Sequence, residues 1–233
     1  MLIFITGQNH KRQVYTTKMI CDIKKYIYIH IPKTAGTSIE NVLKNIDPPT
    51  DTPGSSHTYI KNYKFSLKDK FYDYYRFATV RNPWDRLVSI YSHYKAGGSV
   101  AYWWNKCETD KQRERLLNNY PHSIDLKIMK ALPETFEEFV YDTSMVGVKM
   151  TCLQTDYVMI KGKLEADIIK FENLNQGYAK VAQKLGLPDK LPHTRISKHK
   201  HYTEYYNPDT VKHVTETYGE DIECFKYTFG NQT

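Results

Sequence analysis

Cysteine is scarce in this chain and scattered: Cys21, Cys107, Cys152 and Cys224 stand far apart with no CxxC pair among them. That spacing excludes a zinc ribbon and a dense disulfide scaffold, and it fits a reducing compartment. Long apolar runs are missing as well. No stretch approaches the roughly 18 residues that a membrane span needs. The apolar opening, residues 1–6, gives way at once to Gln8, Asn9, His10, Lys11 and Arg12, too short for the apolar centre of a signal peptide. No internal repeat and no low-complexity linker interrupts the chain. Acidic residues are outnumbered, 26 against 33 Lys and Arg, for a formal charge of +7. The balance favours an anionic partner: a nucleotide, an acidic sugar, nucleic acid or a membrane surface.

What is present reads as a single globular unit. With 233 residues the chain suits one domain with a substantial core, and its 20 tyrosines are many for that length. Residues 26–31 (YIYIHI) and 75–80 are β-branched and aromatic runs of the kind that form buried strands. Each runs straight into a helix start. Ile39, Val42 and Leu43 recur at helical spacing after Thr37 and Ser38, either of which can cap. Asn82 can cap the next helix, Pro83 suits its first position, and Leu87, Ile90, Tyr91 and Tyr94 share a face before Gly97 and Gly98 end it.

Further helices are expected over 67–74, 106–119, 135–141, 175–185 and 208–218, and strands over 157–160 and 166–171. Residues 47–56, rich in Pro, Gly, Ser and Asp, read as a loop. Alternating strands and helices predict a single α/β domain, a central and mainly parallel sheet flanked by helices with a P-loop-like nucleotide-binding core. Residues 1–25 are set apart as an extension, 26–228 as the domain and 229–233 as a tail.

Two segments carry chemistry. In HIPKTAGTS, residues 30–38, a strand enters a turn and then a helix, which gathers backbone N–H groups and a helix N-terminus around one small volume suited to an oxyanion. Lys33 adds charge, Gly36 permits close approach, and Thr34, Thr37 and Ser38 add hydroxyls. Lysine precedes glycine here, the reverse of GxxxxGK[ST], so an ordinary ATPase is disfavoured. In RNPWDRLVSIY, residues 81–91, Arg81 at a strand end and Ser89 on the following helix can converge on one phosphate. The plainer alternatives are a tight turn with a solvated lysine, and an Arg81 paired with a carboxylate.

Together the two loops resemble the PAPS-dependent sulfotransferases, nearer the carbohydrate branch (family 2) that includes heparan 2-O- and chondroitin sulfotransferases. The resemblance extends to DIIKFENL at 167–174, to 185–188 and to 193–206, and covers roughly residues 26–228. It implies that Lys33, Thr34, Ala35, Gly36, Thr37 and Ser38 grip the 5'-phosphosulfate of PAPS, that Arg81 and Ser89 grip its 3'-phosphate, and that Ser197 and Lys198 lie in a loop closing over the nucleotide. It further implies in-line sulfuryl transfer to an acceptor hydroxyl, most readily on a carbohydrate, with 3',5'-ADP as product. Lys33 then stabilises the leaving phosphate, and His57, between the two donor loops, is the base. Glu40 and His93 are the other base candidates.

No metal is required, and His199 and His201 lack partners at zinc-finger spacing. Tyr202, Tyr205, Tyr206, Trp84 and the pair Trp103 and Trp104 could stack on a base or sugar, or simply pack. Acceptor recognition is expected within 96–150. The competing readings are an inactive polyanion-binding domain, which has no need of both loops, and an ATP-dependent P-loop kinase, which lacks its glycine-rich loop. Nucleic acid is not expected as a partner. The short N-terminus points to a cytoplasmic enzyme of microbial or viral origin, or to the Golgi lumen if an anchor precedes it.

Overall fold

A computed structural model describes residues 19–45, 57–119, 124–192 and 199–230. Its centre is a four-stranded sheet in the order β1 (Ile20–Cys21), β2 (Tyr26–Ile29), β3 (Tyr75–Val80), β6 (Asp167–Lys170). Between β3 and β6 in sequence, β4 (Met159–Ile160) and β5 (Lys163–Leu164) form a separate antiparallel hairpin. The sheet is parallel across β2, β3 and β6, with Tyr26 opposite Tyr75 and Phe77 opposite Asp167. Only the edge strand β1 runs antiparallel, placing Ile20 opposite Ile27. That strand lies inside the stretch set apart above as an extension.

Helices supply the covers that a parallel sheet needs on both faces. After β2 come α1 (Gly36–Leu43) and α2 (Ile60–Leu67); after β3 come α3 (Pro83–Lys95), α4 (Gly98–Trp104), α5 (Asp110–Asn119), α6 (Ile124–Ala131), α7 (Phe136–Tyr141), α8 (Val148–Thr151) and α9 (Thr155–Val158). After β6 come α10 (Leu174–Leu185), α11 (Pro208–Thr217) and α12 (Gly219–Phe225). β2 is buried along its whole length, and β3 from Phe77 onward, which is why both read as unbroken apolar runs. α10 packs on β6 so closely that a Cβ at Gly177 would lie 2.7 Å from Ile169 Cγ2. Among the described residues no helix is long and apolar enough to cross a membrane.

Several expectations shift. Tyr157 and Val158 are helical, not strand, because the buried Asp221 carboxylate accepts from the backbone N–H of Gln154 (2.8 Å) and Thr155 (2.9 Å) and nucleates a turn there. Only Met159 and Ile160 remain extended. The helix expected over 67–74 is a 3₁₀ segment, Lys68–Asp73, and it is preceded by α2, which was not expected. α1 is not capped by Thr37 or Ser38: its N-cap is Ala35 in the left-handed region, with no side-chain cap. Asn82 does cap α3, accepting from Trp84 N–H at 3.1 Å.

At the C-terminus Phe229, placed in the tail by sequence, packs against Trp84, Tyr202 and Tyr206 with ring centroids 5.5–5.7 Å apart. Those aromatics, with Tyr205 against Phe136, form packing contacts, which settles Trp84 and the tyrosines on the structural side. The loop expected at 47–56 lies outside the described residues, as do Ser197 and Lys198.

Candidate active site

The three parallel strands end on one edge of the sheet, and each feeds a helix. Such a carboxyl edge is where open α/β sheets bind ligands. Here the N-termini of α1, α3 and α10 meet around a cleft of about 1060 Å³, lined from the first strand's exit by His30, Lys33, Ala35, Gly36, Thr37 and Ser38. From the second come Arg81, Ser89 and His93, and from the third Phe171, Glu172 and Asn173. His57 lines the same cleft, as do Ser99, Ile128, Val146, Lys149 and Met150 from the stretch where acceptor recognition was expected. Helix N-termini carry partial positive charge, and the cations Lys33, Arg81 and Lys149 share this lining with one carboxylate, Glu172. Glu172 is itself engaged: its oxygens accept from Asn82 N–H (2.7 Å) and the Tyr227 hydroxyl (3.1 Å).

The first loop is wound tightly. Lys33 and Ala35 both sit at φ 66°, a left-handed conformation that costs a non-glycine residue about 1–3 kcal/mol and persists only where neighbours hold it. The brace is visible. Arg81 Nη1 donates to the Lys33 carbonyl (3.3 Å), and the fully buried Arg86 donates from Nε to the Pro32 carbonyl (3.2 Å). Arg86 also reaches the carbonyls of Cys152 and Met150, both at 2.9 Å.

Thr34 is the predicted site residue that turns away. Its hydroxyl donates to the Ile31 carbonyl (2.9 Å) and meets Thr79 Oγ1 at 2.8 Å, while Thr79 meets the Tyr28 hydroxyl at 3.0 Å. Since Thr34 spends its hydrogen on a carbonyl, Thr79 donates to Thr34 and Tyr28 donates to Thr79. The row ties the turn to β2 and β3.

Arg81 has the carboxylate partner weighed above and also stands in the cleft. Its Nε donates to Asp85 Oδ2 at 2.7 Å, and its guanidinium lies 4.1 Å from the Phe171 ring centroid, yet it lines the cleft beside the buried Ser89. Its backbone is clamped by Gln154, which accepts from Arg81 N–H and donates to Arg81 O, both at 2.9 Å. Gln154 and Arg86 carried no assigned role in the sequence, although Arg86 directly precedes Leu87, where the apolar face of α3 begins.

His57 stands close to a second histidine. Its Nδ1 lies 3.1 Å from the His30 carbonyl, and the two rings meet edge to face at 4.5 Å. His30 Nδ1 lies 2.6 Å from Glu40 Oε1, and Glu40 Oε2 lies 3.7 Å from Lys44 Nζ. Burial, reinforced by the neighbouring His30, lowers the His57 pKa to about 4, so its imidazole is neutral at pH 7. Burial alone would raise Glu40; its hydrogen bond and charge interaction with His30, with Lys44 and His57 adding, outweigh that and hold the carboxyl below its ordinary range. Glu40 is therefore partnered inside the fold and does not face solvent as a separate base. His93 lines the cleft one turn beyond Ser89.

Among the described residues no group of three or more His, Cys, Asp or Glu is arranged to hold a metal ion. His199 lines the cleft, and its Nδ1 lies 2.7 Å from the Lys200 carbonyl. No curated protein and no solved structure matches the chain. A family model does, over residues 17–228, and its description is "Sulfotransferase family".

Proposed function

The chain belongs to the sulfotransferase family, and from that premise we propose that it takes a sulfuryl group from PAPS and delivers it to an acceptor hydroxyl on a carbohydrate. The observation that carries this reading is the convergence of both phosphate-type loops, with His57 between them, on one cationic cleft. The left-handed turn at Lys33 and the N-terminus of α1 offer backbone N–H groups to the phosphosulfate, and Thr37 and Ser38 add hydroxyls. Arg81 and Ser89 receive the 3'-phosphate.

Sulfuryl transfer is an in-line displacement, and its barrier is lowered by holding the reactants in line and by stabilising the leaving oxygen. Lys33 meets the negative charge that grows on the leaving phosphate as the S–O bond breaks, so its attraction is greatest in the transition state. His57, neutral at pH 7, takes the proton of the acceptor hydroxyl as the new O–S bond forms. The opposite wall, with Ser99, Ile128, Val146, Lys149 and Met150, mixes apolar surface with one cation, a combination that suits a sugar face carrying polar substituents.

Calorimetric binding of 3',5'-ADP and 5'-AMP tests the donor assignment. The 3'-phosphate should strengthen binding more than about tenfold, roughly 1.4 kcal/mol. Arg81→Ala should remove that preference. Because Arg81 also braces the first loop, Ser89→Ala serves as the milder variant and should weaken the diphosphate selectively. Equal affinity of the wild type for the two nucleotides would refute the donor assignment.

A further inference from the structure

A carbonyl oxygen only accepts, so the 3.1 Å contact between His57 Nδ1 and the His30 carbonyl requires the hydrogen of neutral His57 to sit on Nδ1. Nε2 is then its basic nitrogen. The residue that supplies this carbonyl is itself fixed on several sides. Its ring nitrogen Nδ1 is bonded to Glu40 at 2.6 Å, its face stacks on Tyr28 with centroids 5.9 Å apart, and its Nε2 edge fills the space where a side chain at Gly36 would stand, 1.9 Å from an ideal Cβ. We propose that Glu40 and His30 are the positioning residues of His57: together they fix which nitrogen carries its proton, and Glu40 supplies the counter-charge when the other nitrogen accepts one. The proposal rests on the reading of His57 as the base.

The charges around the pair support it. As the acceptor oxygen bonds to sulfur and the bridging S–O bond breaks, the hydroxyl proton passes to His57 Nε2, and an imidazolium forms in a largely buried place. Lys149 on α8 and the neighbouring His30 both oppose that charge, whereas Glu40 on α1 favours it. Lys44 lies on the far oxygen of Glu40. The nearby phenols, Tyr28 on β2 and Tyr63 on α2, are held protonated by burial and supply no anion. Glu40 is thus the carboxylate that this cluster turns on, and it reaches His57 through His30.

Nitrogen-15 NMR of the imidazoles reads the arrangement directly and needs no acceptor. In the wild type at pH 7, His57 should be in the Nδ1–H form. Removing one negative charge lowers the proton affinity of the cluster, so Glu40→Gln should shift the His57 midpoint down by about half a pH unit or more. At pH 4, where about half of the wild-type His57 is protonated, less than about a quarter should be protonated in the variant. An Nε2–H tautomer in the wild type, or an unmoved midpoint in a folded Glu40→Gln protein, overturns the proposal. The tautomer result stands even if that variant fails to fold. Calorimetry with 3',5'-ADP on the same wild-type sample separates the two claims: absent binding sinks the donor reading and leaves the histidine result to be judged by itself.

Discussion

Gly36 and His30 share a volume that holds only one side chain. An alanine at 36 would bring its Cβ to 1.9 Å from both Nε2 and Cδ2 of His30, closer than non-bonded atoms approach, so ring or loop must move. Gly36→Ala should therefore destabilise the fold by about 2 kcal/mol or more and weaken 3',5'-ADP binding at least tenfold, in thermal melts and calorimetry respectively. Acid should act on the same cluster. The His57 pKa is lower in the folded chain than the ordinary 6.5, so the unfolded chain binds the extra proton first, and stability falls as pH drops from about 6.5 to about 4. Glu40, depressed when folded, stabilises above its unfolded range, and that contribution is lost as pH falls through its folded value. Urea midpoints at pH 7 and pH 5 should differ in the wild type and differ less in His57→Asn. That Lys33, Gly36, Arg81 and Ser89 would share one cleft was legible, because each stands just after a strand end or on the helix that follows it. The bond between His30 and Glu40 was not, since it depends on how a left-handed turn folds a strand end back onto a helix.

At the scale of elements, the first loop is held by partners that come from elsewhere in the chain. Arg86 alone joins the carbonyls of Pro32, Met150 and Cys152, and its guanidinium is buried with them. Arg86→Met should cost about 3 kcal/mol or more in urea unfolding, because three acceptors lose a charged donor. Arg86→Lys should recover little, as an ammonium cannot reproduce the fork. Thr34→Val breaks the hydroxyl row and should cost about 1 kcal/mol by the same measurement. β2, β3 and α3 were readable from apolar runs and caps, which are local. The turn at 154–158 was not, because its cap is Asp221, more than sixty residues away in sequence and visible only once α12 is packed.

At the scale of the whole molecule, the cleft at the strand ends is cationic. Lys33, Arg81 and Lys149 surround the cleft with helix N-termini among them, so attraction for a polyanionic nucleotide should weaken with ionic strength. Raising salt from about 0.05 to about 0.5 M should lower 3',5'-ADP affinity severalfold, and 5'-AMP affinity by less, in parallel titrations. The overall architecture was predictable from alternating strands and helices. The stretch 96–150 was marked only as a whole; which of its residues, Ile128, Val146, Lys149 and Met150 among them, reach the cleft follows from tertiary packing, and no periodic pattern marks it.

The reach of Arg86 also sets an order of events during synthesis. Residues 26–95 contain both phosphate-type loops and the paired strands β2 and β3, but two of the three carbonyls that fix Arg86, and the amide that clamps Arg81, are translated only at 150–154. A nascent chain halted before that point carries both loops without the parts that stiffen them. The braced form of the two loops is thus acquired late, after most of the polypeptide has emerged, and protease protection in a ribosome-bound series of increasing length should record it as a step.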